Sequence, residues 1–563
     1  MGRSRLIGGI LLAIVAAFPA FGAWAQNPRS QSTVPTQQQL NPSELLNQQN
    51  RARANDIFAT PEPGPCPLRD STLTFPLKSV AFSGAVGVAA KSLDQASKAQ
   101  IGKTIPVSSI CDIRDRAAAI LFSHGILARV EIPPQRIADG QLQLDVIEAR
   151  IAGIRFHGDA GPAQAKVEGY LEHLRGLAPF NLNIAQRYLL LAADVPGVQI
   201  QAAIRPSAEG RGAVDLDVTI SRRILAVAAN VQNYGSQTLG PWAGLARIDL
   251  KGLTPYGDQS SLVVYSTSDL IEQRVAQLIE EFRPWDQGLI LRGSVSYAWT
   301  RPGGVLAPLK LSGDAIDAEF SANYPVLRTR RINLNATGGL AIVNQNTNFS
   351  GGGALIDDKL RVFFARLDGT ARTSVLGMPF EGETGFEVRQ GLGALGASKV
   401  GDIALSRANG DPQALVGRAD GHASLAFTGW LQGYVGYQAQ YASQPLLSYE
   451  QTAVGNLTIG RGYDPSSVTG DRGAAVAAEA RLTPFRLPAG FSASAYTFYD
   501  LAYVEYVDNS QKTTVRSAGA GLRVSAPQGV DIDVFYADPF DKPTPSASSK
   551  PPARVMLAIT YRR

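Results

Sequence analysis

The chain has 563 residues, 53 lysines and arginines against 48 aspartates and glutamates, and a formal net charge of +5 scattered along its length. That length leaves room for several domains, and so small and dispersed a charge gives no nucleic-acid surface. Two cysteines and four dispersed histidines, with no Cys or His at zinc spacing, argue against a metal site.

Residues 1–25 have the three parts of a secretory signal: Arg3 and Arg5, an apolar run over 6–21, and the small-x-small sequence Ala23-Trp24-Ala25. The mature chain is expected to begin at Gln26. Beyond the signal no run of about 18 apolar residues follows, which excludes a bundle of membrane helices. Residues 26–40, rich in Gln, Ser, Thr and Pro, read as a flexible leader. A helix is predicted from Pro42 and Ser43 to about Phe58, with Glu44 in its first turn. Its apolar stripe is narrow, which suits water or a polar cavity better than a hydrophobic core. The prolines of 59–73, densest in Thr60-Pro61-Glu62-Pro63-Gly64-Pro65, then form a stiff linker.

Two similar units follow, over 74–150 and 151–221, each reading strand, helix, helix, strand, strand. In the first, strands are predicted at 77–82, 127–132 and 141–148, with helices around 92–102 and at 110–124. The second repeats this with strands at 151–156, 198–204 and 213–220 and helices at 163–174 and 184–193. Each is near the smallest size at which a core sustains itself. In an exported chain Cys66 and Cys111 are expected to pair. Closing that loop would add about 3–4 kcal/mol to the first unit.

From 222 to 563 the pattern changes to apolar or aromatic residues alternating with polar or tiny ones. Over 291–300 one face carries Leu291, Val295, Tyr297 and Trp299, the other Arg292, Ser294, Ser296 and Thr300. The stretches 425–441, 530–536 and 555–561 read the same way. A period of two also occurs in soluble sandwiches, and the export signal is what favours an outer-membrane barrel. With 56 glycines, 18 tyrosines and 21 phenylalanines for turns and interfacial girdles, the 342 residues from Arg222 fit sixteen strands with loops of mixed length, with fourteen and eighteen also open.

Motifs in this half resemble the outer-membrane transporters of two-partner secretion, the TpsB group of haemolysin secretion/activation proteins (ShlB/FhaC/HecB-like) within the Omp85 superfamily. The order of segments is the same: signal, N-terminal helix, Pro-rich linker, two POTRA domains, barrel. Asn233-Tyr234-Gly235-Ser236 is similar to the family's opening of the barrel, and a cysteine pair flanks the first POTRA as Cys66 and Cys111 do. Ile459-Gly460-Arg461-Gly462-Tyr463 with Gly470-Asp471-Arg472-Gly473 is similar to the signature of the long sixth loop. The resemblance implies that Arg461, followed by Gly462 and Tyr463, folds back into the lumen and meets an acidic strand residue, here Asp500 of Phe498-Tyr499-Asp500. A guanidinium fork accepted by one carboxylate would fix both the position and the orientation of a long loop. Two departures stand: a glycine precedes the arginine, and the chain ends Tyr561-Arg562-Arg563 where the family often ends in an aromatic residue.

The implied fold is two α+β POTRA domains, each β-α-α-β-β, before a sixteen-stranded transmembrane antiparallel barrel in the outer membrane, with the POTRA domains in the periplasm. The implied function is secretion of a specific exoprotein of adhesin or haemolysin type, with the N-terminal helix suited to plugging the lumen. The implied partners are that exoprotein, outer-membrane lipid and the barrel assembly machinery. No cofactor or metal and no catalytic residue is expected. Gly391-Leu392-Gly393-Ala394-Leu395-Gly396 spells a dinucleotide fingerprint without the alternating strands and helices that would make it one. The alternatives are an Omp85-type assembly factor and a passive porin or uptake barrel.

Overall fold

The computed structural model describes residues 36–43, 66, 68–137, 139–455, 459–545 and 547–563. In the first α+β unit the central strand Gln141–Glu148 pairs in parallel with Ser79–Ser83 and antiparallel with Ala128–Glu131. Helix Ser109–Ser123 covers one face of this sheet. Its apolar residues recur every three or four positions, so Ile110, Ile113, Ala117 and Leu121 pack on Leu142, Leu144 and Val146. The other helix is shorter than the sequence predicts, winding only over Ala90–Asp94. The Ser97 hydroxyl donates to the Asp94 carbonyl at 3.3 Å, competing with the helical ladder, and turns carry the chain on to Gly102. Cys66 is bonded to Cys111 on the longer helix, their Cα atoms 6.0 Å apart, which ties the segment before the unit to its core.

The second unit repeats the arrangement, with Ala213–Arg222 central, Arg150–Gly158 parallel to it and Val198–Pro206 antiparallel at the edge. Helices Gln164–Glu172 and Leu182–Ala193 bury Val167, Leu171 and Leu189 against Leu216 and Val218. Asn181 caps the longer helix, its side chain accepting from the amides of Asn183 and Ile184 at 2.9 and 3.2 Å.

Residues 225–562 close into an antiparallel barrel of sixteen strands, with the two-residue piece Phe485–Arg486 paired beside one of them. Consecutive strands are neighbours throughout, and the last, Arg554–Arg562, pairs with the first, Leu225–Gln232, to seal the cylinder. Along Ile290–Thr300, Ser296, Ala298 and Thr300 are buried, whereas Val295 and Trp299 on the other side are 46% and 42% exposed. Leu278, Phe320, Phe363 and Phe386 also point outward and are exposed, an apolar belt suited to lipid. Among the described residues no helix is long and apolar enough to cross a membrane. The stretch 425–441, read as one segment, is two strands: Leu415–Ala426 and Leu431–Ala442 meet at a turn where the Thr428 hydroxyl accepts from the amides of Trp430 and Leu431 at 3.3 and 3.0 Å.

The second unit is clamped beneath the barrel. Arg328 at the end of strand Ser312–Arg328 makes a bidentate pair with Asp194, both contacts 2.7 Å, and buried Lys166 reaches Asp286 in the next turn at 2.7 Å. Arg187 of helix Leu182–Ala193 donates to the Tyr324 hydroxyl and the Gln287 carbonyl, both at 3.3 Å. Burial at this joint pushes the Tyr170 phenol up to about 12. Tyr170, Leu191 and Asp194 line, with Arg283, Asn323 and Asn335, a cavity of about 290 Å³ where the joint meets the inner wall.

The two faces of strand Ile290–Thr300 should respond differently to charge. Val295→Arg, midway along the outward face, should cost about 2–4 kcal/mol, while Ser294→Arg, pointing into the lumen toward Glu319, should be tolerated. Urea unfolding in lipid vesicles, followed by tryptophan fluorescence, measures both.

Candidate functional site

Among the described residues, two pieces of chain inside the lumen make the contacts that define the site. The first is the connection between strands Leu431–Ala442 and Arg472–Leu482, which returns into the barrel on the face away from the α+β units. Arg461 is 5% exposed. Its Nε donates to Asp500 Oδ2 at 3.0 Å and its Nη2 to Oδ1 at 2.6 Å, while the amides of Gly460 and Arg461 donate to Oδ2 at 3.1 and 2.9 Å. One carboxylate thus receives four donors from one short stretch. Gly460 has φ +81°, and a Cβ there would meet Val454 at 2.7 Å, so the turn requires glycine. A Cβ on Gly462 would sit 2.9 Å from Ser517 and 3.0 Å from the Pro539 nitrogen, and its amide donates to Ser517 Oγ at 3.3 Å. The Tyr463 hydroxyl donates to the Arg516 carbonyl at 2.9 Å and accepts from the Asp541 amide at 3.1 Å.

The structure therefore brings Arg461 and Asp500 together and adds a second acid, Glu479, which sequence reasoning missed. Glu479 receives Nη1 of Arg461, Nε of Arg481 at 2.6 Å and Nη1 of Arg523 at 3.4 Å. Arg523 also contacts Asp533 at 3.2 Å. Three guanidinium groups meet three carboxylates, so the network carries no net charge. Each guanidinium also lies over an aromatic ring on the inner wall: Arg461 over Phe498 at 3.6 Å, Arg481 over Tyr434 at 3.6 Å and Arg523 over Tyr496 at 3.9 Å. A signal for Glu479 was present. Gly473, Ala475 and Ala477 face inward on its strand, and small residues there leave space for something to pack, which is the cluster of Val454, Ile459, Tyr463 and Val468.

The same connection has a second anchor on neighbouring strands of the wall, Met378–Gly391 and Leu415–Ala426. Glu450 is buried and accepts from Arg389 Nε and Nη2 at 3.0 and 2.8 Å and from Arg418 Nη2 at 3.0 Å. Its neighbour Tyr449 donates to Asp317 Oδ2 at 2.9 Å.

The second piece in the lumen is the N-terminal segment. Residues 37–40, read from sequence as flexible leader, form the helical turn Gln37–Leu40 with Leu40 fully buried. Its polar side chains find partners on the wet inner wall, which is what orders a stretch that looks structureless by composition. Gln37 Oε1 accepts from Arg418 at 2.6 Å, Asn41 Nδ2 donates to Asp317 at 3.1 Å, and Asn41 Oδ1 accepts from Gln277 at 2.9 Å. Asp317 and Arg418 therefore hold the N-terminal segment and the Tyr449-Glu450 finger together. The helix predicted to Phe58 lies outside the described residues beyond Ser43, as do residues 59–65 and 67 of the Pro-rich linker.

Helix Leu182–Ala193 of the second unit is partly spent on the joint, through Arg187 and Leu191. Among the described residues the edge strand Val198–Pro206 pairs with Ala213–Arg222 alone, and Gln199, Gln201, Ala203 and Arg205 along it are exposed.

Two family models match the chain: "Haemolysin secretion/activation protein ShlB/FhaC/HecB" over residues 210–524 and "POTRA domain, ShlB-type" over 75–149. Among solved structures, CdiB from Escherichia coli is similar at 17% identity and TM-score 0.74, covering 94% of this chain and 98% of that one. CdiB from Acinetobacter baumannii is similar at 17% and 0.66, covering 93% and 98%. BamA from Haemophilus ducreyi lacking POTRA domains 1–3 is similar at 13% and 0.52, covering 87% and 100%. No curated protein matches by sequence.

Arg461→Ala should release the inserted loop without opening the barrel. Limited proteolysis within 443–471 should quicken by at least about tenfold, the factor that about 1.4 kcal/mol represents, while the heat-modifiable mobility of the barrel is kept. Glu479→Gln, which leaves Asp500 in place, should give a smaller increase.

Proposed function

The chain belongs to the ShlB/FhaC/HecB family of haemolysin secretion/activation proteins, outer-membrane transporters of two-partner secretion, and from that premise we propose that it secretes one specific exoprotein. The α+β units, facing the periplasm, select the exoprotein by its N-terminal region and pass it to the lumen as an extended chain. The observation that carries this reading is the pairing of a free edge strand with a clamped joint. Val198–Pro206 can accept one more strand, so that main-chain hydrogen bonds supply affinity and alternate side chains supply selectivity. Lys166 and Arg328 hold that edge at a fixed position beneath the barrel.

The N-terminal segment acts as a plug. Its contacts to Arg418, Asp317 and Gln277 are polar and few, so an arriving polypeptide, itself a row of donors and acceptors, can replace them one by one. Folding of the exported protein outside then makes the passage one-way, since a folded segment cannot slip back. Arg461, Asp500 and Glu479 hold the inserted loop against the wall while the chain passes.

The test of the function compares the proteins in the medium and on the surface of the producing cell with and without this chain. Loss of one large exported protein is expected, with Arg461→Ala reducing its secretion while the barrel stays inserted. An unchanged set with altered outer-membrane composition would favour an assembly factor, and no change in either a passive barrel. For the plug, deletion of residues 34–58 should raise single-channel conductance in planar bilayers, and an unaltered conductance rejects that role.

A further inference from the structure

The connection over 392–414, on the same face as the inserted loop, is turned into the barrel. Leu405 is buried in a cluster with Leu40 of the N-terminal segment, with Leu447 and Tyr449 of the inserted loop, and with Val275, Ala298, Val343 and Leu360 of the inner wall. Ser406 fixes the same stretch from both sides: its amide donates to Asp358 Oδ1 at 2.9 Å and its hydroxyl accepts from the Ser448 amide at 3.0 Å.

The next residue, Arg407, ties this connection to two others. Its Nη1 donates to Asp471 and to the Leu446 carbonyl at 3.0 Å, its Nη2 contacts Asp508 at 2.7 Å, and the guanidinium lies 5.0 Å from the centre of the Tyr506 ring. Asp471 is fully buried and also accepts from the amides of Leu446 at 2.9 Å and Val507 at 2.8 Å and from Gln451 Nε2 at 3.3 Å. Its own amide donates to the Glu505 carbonyl on the wall strand Ser492–Glu505 at 2.9 Å. One carboxylate fixed to the wall therefore gathers the connections over 392–414, 443–471 and 506–511 across a single mouth.

We infer that the connection over 392–414 is a second closure of the lumen, latched at its rim by Arg407 to Asp471 and Asp508 and braced from within by Leu40 against Leu405. This rests on the reading that an exported chain leaves through this mouth, and it goes beyond the plug. Withdrawal of the N-terminal segment exposes Leu405 to lumen water and weakens the closed position, so that the mouth then passes some ions, but it opens fully only when Arg407 lets go. The carboxylate that holds it is the Asp471 of the Gly-Asp-Arg-Gly sequence. That residue is a positioning residue: it acts through the loops it gathers.

The experiment uses purified full-barrel protein lacking residues 34–58 in planar bilayers, with no cargo, so its result does not depend on whether an exoprotein is found. Adding Arg407→Ala should raise conductance severalfold above the deletion alone, and Asp508→Asn, which removes one arm of the latch, should raise it less. Ser406→Cys with Ser448→Cys, oxidised, should abolish the rise that Arg407→Ala produces and restore it on reduction, an effect that loss of folding would not give. Heat-modifiable mobility confirms that each barrel is closed, and if Arg407→Ala does not insert, Asp508→Asn decides. Conductance equal to that of the deletion alone in the inserted variants overturns the proposal. Loss of the transport reading would show separately, as an unchanged set of exported proteins in cells lacking the chain.

Discussion

The contact on which the lumen depends is the fork between Arg461 and Asp500. A loop folded into a wet cylinder is not held by apolar burial alone, because apolar patches such as the one under Val454, Ile459, Tyr463 and Val468 cover only part of an otherwise largely polar inner wall. Directed, charge-assisted hydrogen bonds answer that problem, and here four donors from two consecutive residues converge on one carboxylate. Pairing also solves the cost of burying charge. Arg461, Asp500 and Glu479 are each less than a tenth exposed, and any one alone would be strongly disfavoured, whereas the balanced set with Arg481, Arg523 and Asp533 is not.

From that anchor the other contents of the lumen take their places. With one side of the inserted connection fixed near Phe498, its other side reaches the strands Met378–Gly391 and Leu415–Ala426, where Glu450 lies between Arg389 and Arg418. Arg418 and Asp317 then have donors and acceptors left for Gln37 and Asn41. The N-terminal segment is thus held partly by groups that the loop has already positioned. Displacing it does not empty the site, because Tyr449 and Glu450 keep Asp317 and Arg418 partnered, and this makes removal of the segment less costly than removal of the loop.

Much of this was legible in the sequence, for identifiable reasons. Strand alternation over 291–300 sorts Val295 and Trp299 from Ser296 and Thr300 because lipid and water lie on opposite sides of one strand, so the signal is local. Arg461 stood out by its glycines, whose positions are dictated by close approach and a positive φ. Glu479 did not, since a lone glutamate on an alanine-rich strand resembles any solvated residue until the neighbouring small residues are seen to face inward. Glu450 was hidden for a different reason: its partners Arg389 and Arg418 lie on strands far back in the chain, and no local pattern encodes such a pairing. The turn at Thr428 was missed because alternation continues on both sides of it, and a short polar turn interrupts the period too briefly to be heard. Residues 37–40 show the opposite failure. Their composition is that of a disordered leader, which is a statement about burying apolar surface, and a lumen that offers polar partners requires little beyond the buried Leu40.

The joint beneath the barrel gives these interior contacts their direction. On the proposed route, a second α+β unit free to swing would present a cargo to the lumen at an arbitrary angle, and the entropy of finding the opening would be lost for each molecule. Lys166 to Asp286 and Arg328 to Asp194 come from separate helical regions and reach separate turns of the barrel, so rotation about one contact is blocked by the other. Both contacts sit beside the cavity lined by Tyr170 and Asn335, where the fixed edge gives way to the inner wall. On the proposed route, a rigid approach on one side and closures held largely by polar contacts on the other put the elements in one order: the edge strand, the joint, the N-terminal segment, and last the mouth.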